Sequence, residues 1–166
     1  TKGRSWAGLM FVAGDFTTGQ SGKPTQRWYV GVCPDRRAQI SGGLYVTEDA
    51  GESWMRVTEG PGLDANTIPL RGRVAPDGTL YLTTYNDRVW RMRGGVWHDI
   101  TPQDRKGRPF CGVNFDPRNP ARVVVAELLR QGGTSFYYSE NGGESWRRYS
   151  HDPQRQGNSV RFADYP

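Results

Sequence analysis

Two stretches of the chain carry nearly the same sequence, and this internal repeat restricts the possible folds more than any other feature. Residues 44–54 read LYVTEDAGESW and residues 136–146 read FYYSENGGESW, and their final tryptophans stand 92 positions apart. A less similar copy, VWRMRGGVW at residues 89–97, ends in Trp97, which lies 43 positions after the first tryptophan and 49 before the second. A period of about 40–50 residues with several strands in each unit is typical of β-propeller blades.

Further strand-like runs precede the tryptophan in each unit, and turn sequences such as Pro76-Asp77-Gly78 separate them. With the run that follows each tryptophan, every unit has four short strands, and no stretch predicts a helix. The sequence therefore predicts an all-β fold made of β-propeller blades, each with four antiparallel strands. The first two strands of each unit are expected at residues 8–13 and 27–32, at 71–75 and 79–84, and at 111–115 and 121–126. The units are expected at about residues 5–58, 68–101 and 110–150, with a tail at 151–166.

The composition favours the same class and excludes several others. The 22 Gly and 11 Pro among 166 residues argue against a helical bundle, and an aromatic content of 12% argues against disorder. No stretch approaches the roughly 18 apolar residues of a membrane span, and no apolar segment reads as a signal peptide. The net charge is +5, but no basic run reaches five residues. We therefore expect solvated Arg side chains and neither a nucleic-acid nor a membrane partner.

Few side chains are suited to metal binding or nucleophilic catalysis. Cys33 and Cys111 lie 78 positions apart and His98 and His151 lie 53 apart, which is not the spacing of a zinc site. The sequence contains no G-x-S-x-G elbow, no P-loop and no Rossmann glycine pattern. We expect two inert thiols, no bound metal and no cofactor.

The repeated segment itself has a structural explanation. The side chain of Asp49 can accept hydrogen bonds from backbone N–H groups of the turn, and Gly51 can take backbone angles closed to other residues. Trp54 can pack into the stack between blades. In the second copy Asn141 replaces the Asp, which keeps an acceptor and loses the charge. The structural turn residues are expected to be Thr47, Asp49, Gly51, Trp54, Ser139, Asn141, Gly143 and Trp146.

These two segments resemble the Asp-box (BNR) repeat of sialidase-like propellers. An ordered set of other segments is similar to glycoside hydrolase family 74, the xyloglucan-active endoglucanases, and the resemblance extends over roughly residues 8–150. It implies a secreted, glycan-directed protein. The segments that carry it are PTQRWYVGV at 24–32, GGLY at 42–45, PDGTLYL at 76–82, WHDITP at 97–102 and GVNFDPRNP at 112–120.

The resemblance also limits what this chain can do. The family uses two seven-bladed propellers that face each other across a cleft, with one catalytic Asp from each and inversion at the anomeric carbon. The resemblance places this chain in a middle portion of the first propeller, so we expect both catalytic positions to lie outside it and assign no residue here a catalytic role. The loop in which the family carries an aromatic pair for sugar stacking reads ELLRQGGT at residues 127–134 and contains no aromatic side chain.

Propeller geometry orders the candidate ligand-binding residues. Loops from strand two to strand three, and loops between blades, emerge on the face opposite the Asp boxes, where ligands usually bind. These loops are expected at residues 34–42, 85–88 and 128–134, and at 59–67, 102–108 and 151–158. The best-placed polar or aromatic residues in them are Tyr85, Asp87, Arg130, Arg105 and Asp64.

Three units do not close a propeller, because closure takes at least about four blades. We therefore expect an incomplete propeller that belongs to a longer polypeptide or completes its ring with other copies. Two main functions stay open: a xyloglucanase-type segment that contributes β-glucan-binding surface, and a non-catalytic propeller that binds proteins or serves as an assembly-factor scaffold. The missing aromatic pair favours the second and the ordered match favours the first. A sialidase-like propeller is a further alternative, which would need an arginine cluster and a Tyr nucleophile.

Overall fold

The computed structural model describes residues 8–35, 39–58, 60, 63, 67–85, 88–103, 109–127, 135–150 and 162. The described part contains twelve β-strands and a short 3-10 helix at Phe16–Thr18. Within these ranges no helix is long and apolar enough to cross a membrane. The strands are β1 Gly8–Asp15, β2 Arg27–Cys33, β3 Gly43–Thr47, β4 Met55–Arg56, β5 Pro69–Val74, β6 Leu80–Thr84, β7 Arg88–Arg93, β8 Val96–Asp99, β9 Phe110–Asp116, β10 Asn119–Glu127, β11 Ser135–Ser139 and β12 Arg147–Ser150.

The strands form three antiparallel sheets of four strands each, and strands adjacent in the chain are adjacent in the sheet. The first sheet is β1-β2-β3-β4, the second is β5-β6-β7-β8 and the third is β9-β10-β11-β12. Strand β5 lies against both β1 and β9, so the first strands of the three sheets are neighbours, as inner strands of propeller blades are. The all-β fold class predicted from the repeat is confirmed.

The second sheet is covered on both faces, which explains why all five residues of β6 are buried. Leu80 and Leu82 pack in a cluster with Leu44 of the first sheet. Tyr81, between them in sequence, packs in a different cluster with Val113 of the third sheet. Because successive side chains of a strand point to opposite faces, β6 supplies both junctions at once.

Phe11 of β1 makes a close contact between the first and second sheets. A Cβ atom added at Gly31 of β2 would lie 2.4 Å from the Phe11 ring, and one added at Gly72 of β5 would lie 2.1 Å from it. Both positions therefore require glycine, because any side chain there would overlap the Phe11 ring. This junction depends on an aromatic group enclosed between two strands.

The repeated tryptophans occupy two kinds of environment. Trp97 packs in the cluster between the first and second sheets, and Trp146 packs on the second sheet and donates its Nε1–H to the carbonyl oxygen of Ile100 at 2.7 Å. Trp54, which we expected to pack in the stack as well, is instead 44% exposed. Its Nε1–H bonds the Gly51 carbonyl of its own turn at 3.2 Å. In the part of the chain that the structure describes, no sheet covers that side of the first sheet.

Gly72→Ala should destabilise the fold by about 1–3 kcal/mol, because the added methyl group overlaps the Phe11 ring and overpacking has a cost of that size. Urea unfolding measures this loss. Adding Phe11→Leu, which opens space at the ring, should make the combined loss smaller than the sum of the two single losses. Strictly additive losses would show that the Phe11 ring is not what requires Gly72. As a control, Val12→Ala at a side chain with 58% exposure should cost less than about 0.5 kcal/mol.

The two equivalent tryptophans give a matched pair of variants. Trp146→Ala should reduce the free energy of unfolding by about 2–4 kcal/mol, because it removes contacts between two sheets and the bond to Ile100. Trp54→Ala should cost less than about 1 kcal/mol, since its side chain is largely in solvent. Chemical denaturation of both variants checks the difference, and equal losses would contradict the packing described here.

Candidate functional site

The stack of sheets has two ends. We call the end at which β2, β6 and β10 finish the loop face, and the opposite end the turn face. The turn face carries the connections from the third to the fourth strand of each sheet, at residues 47–55, 93–96 and 139–147. The sequence predicts that the ligand-binding residues lie at the loop face.

Tyr85 is the predicted ligand-binding residue that the structure places. It directly follows β6, is half-buried, and packs with Ile68 against a small cluster that contains Leu70, Cys111 and Ala126. Its N–H donates to the carbonyl oxygen of Ile68 at 2.8 Å. The ring therefore lies at the loop face and is held on one side by apolar packing. The placement of Asp64, Asp87, Arg105 and Arg130 stays a prediction, because these four residues lie outside the described ranges.

Glu127 is a loop-face residue that sequence reasoning missed. It ends β10 at the loop face, as Thr84 ends β6, and it is 1% exposed. Glutamate side chains are almost never buried to this degree unless the carboxyl group is paired. Its signal in the sequence is its position at the boundary between a second strand and the following loop.

Arg71 of β5 adds a cationic group near the same end. Its Nη1 donates to the carbonyl oxygens of Leu70 at 3.0 Å and Met10 at 3.5 Å, so it also links the inner strands of two sheets. The exposed guanidinium and the half-buried phenol of Tyr85 can hydrogen-bond and stack on a ligand. The guanidinium of Arg71 and the ring of Tyr85 are therefore suited to binding a ligand at the loop face.

Both cysteines are buried thiols. Burial raises the pKa of the Cys111 thiol although the charge of Arg71 opposes this, and burial likewise raises the pKa of Cys33. Both thiols are therefore protonated at neutral pH, which is unsuitable for nucleophilic chemistry. Among the residues placed by the structure, no three His, Cys, Asp or Glu side chains come together as metal ligands would.

The first repeated turn is organised around the carboxylate of Asp49. Its Oδ1 accepts hydrogen bonds from the Ser53 amide at 2.9 Å and from the Thr47 hydroxyl at 2.6 Å, and its Oδ2 accepts one from the Ser53 hydroxyl. The Thr47 hydroxyl oxygen in turn accepts from the Gly51 amide at 2.9 Å. Gly51 has a φ of +101°, at which a residue with a side chain would be strained. The preceding residue, Ala50, also has a positive φ, of +60°.

The second turn repeats this network with one reversal. Asn141 Oδ1 accepts from the Ser145 amide at 2.9 Å and from the Ser139 hydroxyl at 2.9 Å, and the Gly143 amide donates to Ser139 Oγ at 2.8 Å. The reversal is at Ser145, whose Oγ accepts a hydrogen bond from Asn141 Nδ2, whereas Ser53 donates to Asp49. Both turns therefore use their polar side chains to hold backbone, and their Asp and Asn are structural.

The second sheet has a shorter connection at the same place. Arg93 and Val96 pair directly across a two-residue turn, Gly94-Gly95, in which both glycines have positive φ. This is the two-residue hairpin that two glycines favour. It explains why the middle copy of the repeat retains its tryptophan and has lost the polar turn residues.

The stacked four-stranded sheets and their repeated turns define this chain as a portion of a β-propeller. No protein-family model matches it. The chain is 31% identical over 163 residues to an oligoxyloglucan-reducing end-specific xyloglucanase of Emericella nidulans, a match that covers 74% of this chain and 19% of that protein. It is 32% identical over 155 residues to a xyloglucanase of Hypocrea jecorina, with 84% of this chain and 18% of that protein covered.

Solved structures give the same result. The xyloglucanase of glycoside hydrolase family 74 from Xanthomonas campestris matches with a TM-score of 0.69 and 29% identity, over 85% of this chain and 21% of that one. The family 74 enzyme of Niastella koreensis matches with a TM-score of 0.71 and 25% identity, over 86% of this chain and 22% of that one. The chain is thus similar to xyloglucanases along most of its length, and it spans about a fifth of the length of the relatives that it matches.

The pKa of Asp49 is lowered from 3.8 to about 2, because hydrogen bonds from the side chain and amide of Ser53 and from Thr47 stabilise the ionised form. A carboxyl group whose pKa is lower in the folded state stabilises the fold at pH values above its unfolded-state pKa. This stabilisation is lost as the pH falls to the folded-state pKa. The stability advantage of the wild type over Asp49→Asn should therefore shrink as the pH falls from 3.8 to about 2. Thermal unfolding across this range measures it.

Asn141→Asp is the matched variant, because it places a carboxylate in the second turn. We expect it to acquire a loss of stability on acidification in the same pH range that the wild-type turn does not show. A difference between the wild type and Asp49→Asn that stays constant with pH would contradict the assignment of the low pKa to this turn.

Proposed function

We propose that this chain is a segment of a xyloglucanase-type propeller of glycoside hydrolase family 74, and that its loop face contributes part of a β-glucan-binding surface. The observation that most supports this proposal is that the similarity to xyloglucanases includes all three sheets. In the match to the Hypocrea jecorina enzyme, 84% of the chain aligns at 32% identity. The fold supports the same assignment, with a TM-score of 0.69 to the Xanthomonas campestris enzyme.

Within this proposal the three sheets are blades, in units at about residues 5–58, 68–101 and 110–150, and the two polar turns are Asp boxes. The shared hydrogen-bond network of the turns supports the second assignment. Further blades, supplied by the same polypeptide or by other copies, would cover the first sheet, where Leu9 and Val12 are exposed. A polymeric glycan substrate also favours an extracellular location.

The proposed role of this segment is binding. Inverting hydrolysis requires one carboxylic acid and one carboxylate on opposite sides of the glycosidic bond. We assign neither role to a residue of this chain. The loop face instead offers what a neutral sugar chain needs, namely the ring of Tyr85 as a flat apolar surface and the guanidinium of Arg71 as a hydrogen-bond donor.

Affinity gel electrophoresis tests the proposal. We expect xyloglucan in the gel to retard the chain and dextran to leave its mobility unchanged. Tyr85→Leu keeps apolar packing at the cluster and removes the flat ring, so it should weaken the retardation several-fold. Tyr138→Leu, an aromatic replacement on the third sheet away from the loop face, should retain it. If neither xyloglucan nor any other β-glucan of a broad panel retards the wild type, the loop-face proposal is wrong and a protein-binding role is favoured.

A further inference from the structure

A groove of about 440 Å³ lies on the turn face, between the second and third sheets. Its volume is within the range of about 300–1,000 Å³ that is usual for small-ligand sites. One wall is formed by β7 and β8 of the second sheet together with the β5–β6 turn. The other wall is formed by the start of β10 and the β11–β12 turn of the third sheet. The lining includes Asp77, Tyr81, Arg91, Arg93, His98 and Pro120.

The chemistry of this groove differs from that of the equivalent place in the first sheet. Arg91 and His98 are cross-strand partners on β7 and β8, and Val46 and Met55 are the corresponding partners on β3 and β4. His98 and Met55 each follow the tryptophan of their repeat. Val46 packs against an apolar cluster, as a residue between sheets should. The second sheet therefore has the guanidinium of Arg91 where the first sheet has an apolar side chain, Val46, packed against its neighbour.

The groove is positively charged. Asp77 is the carboxylate among its described lining residues, and it pairs with Arg93 at 3.3 Å. Arg91 donates one Nη1–H to the carbonyl oxygen of Gly142 at 3.0 Å, which holds its guanidinium at the wall and leaves most of its five donors for a ligand. Two guanidinium groups thus face one carboxylate, with the imidazole of His98 beside them.

The lining also suits a ligand that carries hydroxyl groups. The Tyr81 hydroxyl donates to the carbonyl oxygen of Pro120 at 3.1 Å, so its own oxygen can accept a hydrogen bond. Val96, with 57% exposure, and Pro120 provide apolar contact at the rim. A guanidinium binds a planar carboxylate through two parallel N–H groups, and this is the strong form of such pairing.

We infer that this groove binds a carboxylate-bearing sugar, such as a uronic acid unit of an acidic glycan, through Arg91, Arg93 and His98. The site lies at the opposite end of the stack from Tyr85 and Arg71. It does not depend on the proposed β-glucan surface of the loop face.

Titration of the whole chain with glucuronate, followed by ¹H–¹⁵N NMR, tests this inference. We expect shifts of the backbone amides of Arg91, Arg93 and His98, and no such shifts with glucose. Inorganic phosphate distinguishes a site for a sugar carboxylate from a site for any anion. If phosphate shifts the same amides with equal or higher affinity than glucuronate, the groove is a general anion site and the sugar assignment is wrong. The absence of shifts with glucuronate at its highest usable concentration would overturn the proposal entirely.

Charge-removing variants localise the binding. Arg93→Met and Arg91→Met keep the apolar stem, and each should lower the glucuronate affinity about tenfold by removing a charged hydrogen-bond donor. Arg147→Met, which occupies the position of His98 on the third sheet, removes the same charge outside the groove and should leave the affinity unchanged. Equal losses in Arg147→Met and Arg93→Met would show nonspecific attraction. Retardation by xyloglucan, measured on the same variants, reports separately on the loop face.

Discussion

The apolar contact between successive sheets is the interaction on which the whole structure depends. A sheet of four short strands cannot bury both of its faces by itself, so each sheet is stable when a neighbour covers it. The second sheet shows this most clearly, because Leu80 and Leu82 pack on one side and Tyr81 on the other. The enclosure of Phe11 between Gly31 and Gly72 sets how closely the first two sheets approach.

This stacking separates the two ends of the molecule and gives each its own chemistry. At the turn face, the carboxylate of Asp49 and the amide of Asn141 are consumed in holding backbone, so residues that resemble acid catalysts are structural. At the loop face, Tyr85 is fixed by the cluster that joins the inner strands. The groove between the second and third sheets arises from the same stacking, since its two walls belong to different sheets. Both proposed binding surfaces are therefore consequences of how the sheets are stacked.

The period of the tryptophans and the turn sequences sufficed to predict the strands of each sheet. Strand β2, expected at 27–32, is Arg27–Cys33, and β6, expected at 79–84, is Leu80–Thr84. These strands are predictable because alternation and turn residues are local properties of the sequence. Strand β5, expected at 71–75, instead begins at Pro69, and its pairing with β6 has a register shift between Pro69 and Arg71 that alternation does not reveal.

Properties that depend on the neighbouring sheet could not be predicted. Trp54 and Trp146 have the same local sequence, but the first is exposed and the second packs on Ile100, because a sheet covers one and not the other among the described residues. The burial of Glu127 likewise depends on tertiary packing. The groove requires Arg91 and Gly142 to meet although they are 51 positions apart, and no local pattern indicates such a contact.

Native-state hydrogen exchange tests most directly the claim that the junctions between sheets hold the fold. If they do, the amides of Leu82 in the second sheet and Val125 in the third should exchange only through one shared global opening, with the same free energy. The edge strand β4, which another sheet strand borders on one side alone, should exchange faster through local opening. Exchange of Leu82 with a free energy well below that of Val125, or as rapidly as Arg56 of β4, would show that the sheets open independently and would contradict the account.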